Sequence, residues 1–223
     1  MTASAGAPAL HGRPPRIGLI LLVAGFLLVG AASSPSPAPG PSDTSAASRV
    51  LADTVDDPRP DYTAAGLERA IHEAVNAVRA EHSLQRLEWA DSLRVLARTH
   101  SRDMVARDFF AHTNPSGEDV NDRGRRLGLH CHRALPDNVW AVGFSENLYE
   151  GSLYRRVQKR YRGDRLLERI YDWKPPDALA TAVVRGWMNS PGHRKNLLSD
   201  VSRVESIGVA FEDRRFVVTQ VLC

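Results

Sequence analysis

Three short segments of this 223-residue chain carry side chains able to do chemistry. Phe109-Phe110-Ala111-His112-Thr113-Asn114-Pro115 offers an imidazole, and Phe144-Ser145-Glu146-Asn147-Leu148 offers a carboxylate beside an amide. Trp187-Met188-Asn189-Ser190-Pro191-Gly192-His193 offers a second imidazole, with Pro191-Gly192 enforcing a turn just before it. Two imidazoles and a carboxylate from distant segments could bind Zn²⁺ and leave a position for water. With Glu146 as general base, such a set would be a hydrolase. The plainer reading is that His112 and His193 are structural hydrogen-bonding groups while Glu146 pairs with one of them, because a carboxylate orients an imidazole whether or not catalysis follows. No motif fixes a nucleophile, so binding outweighs catalysis.

The elements that position these segments are helical first. Leu67, Ile71, Ala74, Val75 and Val78 form one stripe on a helix over residues 63–81. Asp91 is placed to N-cap a second helix, on which Leu93, Leu96, Ala97, His100 and Met104 share a face. Residues 117–127 suit a short third helix, and Pro175-Pro176 opens another carrying Leu179, Ala182, Val183, Gly186 and Trp187. The chain ends in two strand-like runs, 206–211 and 215–222, joined at Glu212-Asp213-Arg214. In the last run Phe216 and Val218 face one way, Val217 and Val221 the other, so the sheet is expected to be covered on both faces. The order argues for an α+β domain with a small antiparallel sheet between helices. On this layout His100 reads as a core histidine, and His72 and His82 as solvent-facing or half-buried.

Composition adds little about chemistry and more about place. With 43% apolar and 25% charged residues the chain is globular, neither collagen-like nor wholly disordered. Arg13 and Arg16 precede an uncharged run, 17–32, that ends in small residues, the three-part pattern of a secretory signal peptide over residues 1–32. A retained anchor is the alternative, though a spanning helix wants about 20 apolar residues. Residues 33–60 are rich in Pro, Ser and Ala and read as a flexible linker, leaving one domain over 61–223. An exported domain is secreted, extracellular or periplasmic, and in that setting its two cysteines, Cys131 and Cys223, are expected to form one disulfide; His130-Cys131-His132 lacks the second cysteine pair of a zinc site.

Read together and in order, the three segments resemble the CAP superfamily (cysteine-rich secretory proteins, antigen 5 and pathogenesis-related 1 proteins), in particular its bacterial secreted, SCP-like branch. Leu87-Glu88-Trp89 and Ile207-Gly208-Val209 add to the resemblance, which runs over residues 65–222. It implies a three-layer α-β-α sandwich with a surface cleft lined by two histidines and two acidic residues, where some members hold a divalent metal. On that pattern the histidines are His112 and His193 and one acid is Glu146, with Asn147 beside it. The second acid is missing, because Asn189 or Ser190 stands where a carboxylate is expected. Metal, if bound, would be held by His112 and His193 with Glu146 nearby.

One stretch departs from the family outline. Residues 151–176 hold eight basic and three acidic residues, from Arg155 to Lys174, interleaved with Leu153, Val157, Tyr161, Leu166, Leu167, Ile170, Tyr171 and Trp173. The preferred reading is a solvated, Arg-rich helix packed on the domain; the alternative is a contact for anionic lipid, a cell-envelope polymer or a protein partner. Nucleic acid is not expected, because export precedes folding. Three functions remain in view: a secreted binding module with a His/Glu-lined cleft for a small ligand or divalent metal, a metal-assisted hydrolase, and a structural envelope protein.

Overall fold

The computed structural model describes residues 55–56 and 58–223; the run at 17–32 and most of 33–60 lie outside the described residues. A four-stranded sheet forms the middle layer, in the order β2 (Glu88–Trp89), β8 (Val204–Glu212), β9 (Arg215–Leu222), β5 (Ser145–Ser152). The three long strands pair antiparallel and the short β2 pairs parallel with β8. Helices α1 (Ala64–Glu81), α4 (Pro176–Asn189) and α5 (Pro191–Leu197) cover one face, where Phe216, Val218 and Leu222 of β9 join Leu67, Ile71, Leu179, Trp187 and Leu197. Helix α2 (Asp91–Ala106) covers the other, where Val217 and Val221 meet Leu96, Ala97 and Met104. The alternation along β9 therefore does what its sequence implies: each face carries its own apolar layer.

Local chemistry explains the helix starts. Thr63 Oγ1 accepts from Gly66 N at 3.1 Å, capping α1. Pro176 occupies the first turn of α4, where its missing N–H costs nothing. Helix α2 begins one residue earlier than expected. Asp91 is its first helical residue and Ala90 its N-cap, because Ala90 N is held by Glu205 O at 2.9 Å and Asp91 Oδ1 instead accepts from Trp89 Nε1 at 3.1 Å. Close packing of α2 on the sheet depends on Gly208. A Cβ there would lie 2.2 Å from Arg98 N and 2.3 Å from Ala97 C.

A disulfide between Cys131 and Cys223 closes 92 residues of sequence separation and ties the end of β9 to the chain just before the small ribbon β3 (His132–Ala134) and β4 (Trp140–Val142). The basic stretch is not a helix. It forms a hairpin of β6 (Tyr154–Arg162) and β7 (Arg165–Trp173), turning at Gly163-Asp164 with Gly163 at φ +57°. Its aromatic and aliphatic residues favour strand, and a Gly-Asp pair between two such runs is a hairpin turn. Strand β1 (Val55–Asp56), inside the stretch expected to be linker, pairs parallel with β7. Among the described residues no helix is long and apolar enough to cross a membrane.

Candidate functional site

The three chemical segments meet at one end of the sheet. Glu146, on β5 opposite Val221, is buried, and both its oxygens are taken. Oε1 lies 2.9 Å from His112 Nδ1, and Oε2 lies 2.5 Å from Arg123 Nη2. An ionised carboxylate only accepts, so Nδ1 of His112 carries the proton and its Nε2 is left as the free nitrogen. The His112 side chain is 54% exposed, so the oriented ring stands at the surface. The His193 ring lies beside it, centroids 6.3 Å apart at an interplanar angle of 53°.

Each position has a local cause. Asn114, buried, accepts from Ser116 N and Glu118 N at 3.0 Å each, which shapes the turn that follows His112. Helix α3 (Val120–Arg126) starts with a reciprocal capping pair, Asp119 and Asp122. Gly124 lets it close on Phe144, the residue just before β5: a Cβ there would be 2.7 Å from Phe144 Cε2. Arg123, buried next to that glycine, donates to His112 O at 2.8 Å and Glu118 O at 2.9 Å as well as to Glu146. His193 is set by the amides behind it. Asn147 Nδ2 donates to His193 O at 3.1 Å, and Asn196 Nδ2 donates to Asn147 Oδ1 at 2.9 Å and Glu146 O at 3.3 Å.

The Asn147 amide continues into the core. It donates to Gln220 Oε1 at 2.7 Å, and Gln220 Nε2 donates to Glu205 Oε2 at 2.5 Å. Glu205 Oε1 accepts from half-buried His72 at 2.7 Å. These groups sit within an apolar layer, so full satisfaction makes the array rigid and costly to break.

Burial holds the His193 imidazole below its ordinary pKa, and the neighbouring His112 pushes the same way. Burial likewise lowers His100, with Glu146 opposing. His100 is a core histidine, as its helix face implied, yet it belongs to the site's rear wall. Its Nε2 lies 3.0 Å from Ala111 O and 4.0 Å from Glu146 Oε1.

Of the residues named from sequence, His112, Glu146, Asn147 and His193 come together. Asn189 is exposed at the end of α4 and Ser190 links α4 to α5 through its backbone, with Ser190 N on Trp187 O and Ser190 O accepting from Arg194 N. Neither side chain hydrogen-bonds Glu146 or the histidines among the described residues. Arg123 and Gln220 were missed, and Asn196, three residues after His193 of the third segment, was given no role. The only signal for Arg123 was Asp119-x-x-Asp122 ahead of an Arg-Gly step.

The donor set decides how well a divalent metal fits. Catalytic zinc is held by three protein ligands and structural zinc by four. Here Glu146 is occupied by a guanidinium and an imidazole proton, which leaves two imidazoles and no second carboxylate. Among the described residues no group of three or more His, Cys, Asp or Glu is arranged to hold a metal. The described residues thus offer two imidazoles, one ligand short of a catalytic zinc set and two short of a structural one.

Known proteins similar to this chain include both curated sequences and solved structures. The chain is 27% identical over 149 residues to an uncharacterized membrane protein of Bacillus subtilis, YlbC, covering 67% of this chain and 32% of that one. It is 27% identical over 153 residues to a second Bacillus subtilis protein, YkwD, covering 69% and 45% respectively. The chain thus spans less than half the length of these curated relatives. Similar solved structures include an extracellular SCP-domain protein of Bacillus anthracis (23% identity, TM-score 0.45, 70% of this chain and 40% of that one). Another is an outer surface protein of Borrelia burgdorferi (16% identity, TM-score 0.48, 72% and 94%). The model of the cysteine-rich secretory protein family matches residues 72–221, more than half of the chain. On that match, and with His112, Glu146 and His193 gathered at one sheet end, this chain belongs to the cysteine-rich secretory protein (CAP) family.

Proposed function

We propose that this chain is an exported binding module, whose cleft recognises a small polar ligand through the imidazoles of His112 and His193. The observation that carries this reading is the double engagement of Glu146. A general base needs a free oxygen within reach of the proton it takes. Both oxygens here are committed, to His112 at 2.9 Å and Arg123 at 2.5 Å, so Glu146 acts as a positioning group. What faces outward is a pair of hydrogen-bonding rings on a rigid backing, a recognition surface in which burial disfavours the charged form of His193. Export is supported by the Arg-flanked apolar run at 17–32 and by the disulfide, which persists in oxidising compartments. The cell-surface setting makes an envelope polymer the natural first probe.

The test is retention of the purified chain on insoluble bacterial wall polymer. Wild type is expected to sediment with the polymer, and His112→Ala and His193→Ala, each with an unchanged melting curve, are expected to stay in solution. Equal sedimentation of all three would remove the cleft from the binding role.

A further inference from the structure

The cleft makes no use of the β6–β7 hairpin, and the hairpin's charge arrangement is unusual for a ribbon that only has to stay soluble. Lys159 stands opposite Arg169 in register, and Arg162 stands opposite Arg165. Like charges directly opposed across an antiparallel pair are destabilising. Three of the cations are compensated: Arg155 and Arg156 lie 3.4 and 3.8 Å from Asp172, and Arg160, between Lys159 and the turn, lies 2.7 Å from Glu168. Three others toward the tip are not. Lys159, Arg162 and Arg165 have no partner among the described residues, and Asp164 is the single acid in residues 159–165. Tyr161, 55% exposed, sits among them, and Ile170 is 36% exposed further down β7.

We propose that the hairpin tip is a contact for an anionic lipid surface. Lys159, Arg162 and Arg165 would meet headgroup phosphates, which relieves the like-charge opposition. Tyr161 would sit at the interface, where an aromatic ring with a polar end is favoured. A hydrated polyanion would reward the charges alone and leave the exposed ring without a role, so lipid is the better match. The proposal rests on the exported-module reading only for its location outside the cell; it assigns a contact separate from the cleft.

Vesicle sedimentation of the full chain tests it, with phosphatidylglycerol/phosphatidylcholine vesicles compared with phosphatidylcholine alone. The readout is the ratio between the two, compared between wild type and variants that share the same N-terminal run with Arg13 and Arg16. Wild type is expected to prefer anionic vesicles at low salt and to lose the preference at high salt. Replacing Lys159, Arg162 and Arg165 together by Gln should lower the ratio by about 100-fold, about fivefold per charge. Tyr161→Ser, at unchanged charge, should lower binding to anionic vesicles further, and His193→Ala should leave the ratio as in wild type. No anionic preference, or a triple variant that matches wild type, overturns the proposal. So does a Tyr161→Ser variant that matches wild type while soluble polyphosphate competes the protein off vesicles, a result that assigns the tip to a polyanion. Loss of the ratio in His193→Ala overturns it as well, by moving the contact to the cleft. Failure here leaves wall-polymer retention through the histidines untouched, so the two readings fail separately.

Discussion

Replacing Arg123 by Met keeps most of the side-chain volume while removing the guanidinium that holds the site. Arg123 and Glu146 are both buried, and their pairing at 2.5 Å joins two elements far apart in sequence. Removing one partner of a buried ion pair costs about 3–5 kcal/mol, because the other charge is left uncompensated. Two carbonyls, His112 O and Glu118 O, lose their donors as well, at about 1 kcal/mol each. The expected loss is therefore about 5–7 kcal/mol, a large part of the roughly 5–15 kcal/mol that holds a typical domain folded. With a urea m-value of about 2 kcal/mol/M, the unfolding midpoint should fall by roughly 3 M, measured by circular dichroism with the disulfide intact. Adding Glu146→Gln removes the stranded charge, so the double variant should be less destabilised than the sum of the singles by about 2–3 kcal/mol. A loss below about 1 kcal/mol for Arg123→Met, or additivity of the pair within about 0.5 kcal/mol, would refute the claim that this ion pair organises the cleft.

Three further outcomes follow from the same structure. Gly208→Ala should destabilise strongly, by about 3 kcal/mol or more, since its Cβ meets backbone atoms of α2 at 2.2 and 2.3 Å; Gly192→Ala, with nothing within 4 Å, should stay within about 0.5 kcal/mol, both read from urea midpoints. His100 and His193 both have folded-state pKa values below the ordinary 6.5, so the unfolded chain takes up protons first as pH falls. Stability should accordingly be full above about pH 6.5 and decline below it, with His193→Gln flattening the decline in a series of urea midpoints from about pH 8 to about pH 5. Removing the disulfide as Cys131→Ser with Cys223→Ser should cost up to about 4–5 kcal/mol by loop-closure entropy for the 92-residue separation, seen as a melting point lower by roughly 10–15 °C.

The parts of this molecule readable from sequence are those set by local periodicity. The α1 stripe, the Pro-started α4 and the two-faced β9 follow from spacing alone, and so does the antiparallel ending of the chain. The hairpin does not, because alternating Arg and aromatic residues fit a solvated helix face about as well as an edge strand; Gly163-Asp164 was the deciding turn. In the site, His112, Glu146 and His193 stand out because their residue types are rare and their segments sit between elements. Arg123 does not, since it is one of three arginines in Arg123-Gly124-Arg125-Arg126, and only the approach of Gly124 to Phe144 turns it inward. Gln220 and Glu205 were invisible for a similar reason: each looks like an ordinary strand polar residue until pairing places them in one chain with Asn147 and His72. Arg79 makes the same point. It is fully buried and braces Leu197 O and Ser199 O at 2.8 and 2.9 Å, a contact across more than a hundred residues that no periodicity shows.

The central claim is that Glu146 positions His112 and does not act as a base, so the cleft recognises its ligand without cleaving it. Turnover of a fluorescently labelled protein substrate and of isolated wall polymer, with wild type and Glu146→Gln compared with and without added Zn²⁺, tests this most directly. The account predicts no product above the blank for either protein under either condition. Product formed by wild type and abolished in Glu146→Gln would contradict it and assign the cleft to hydrolysis.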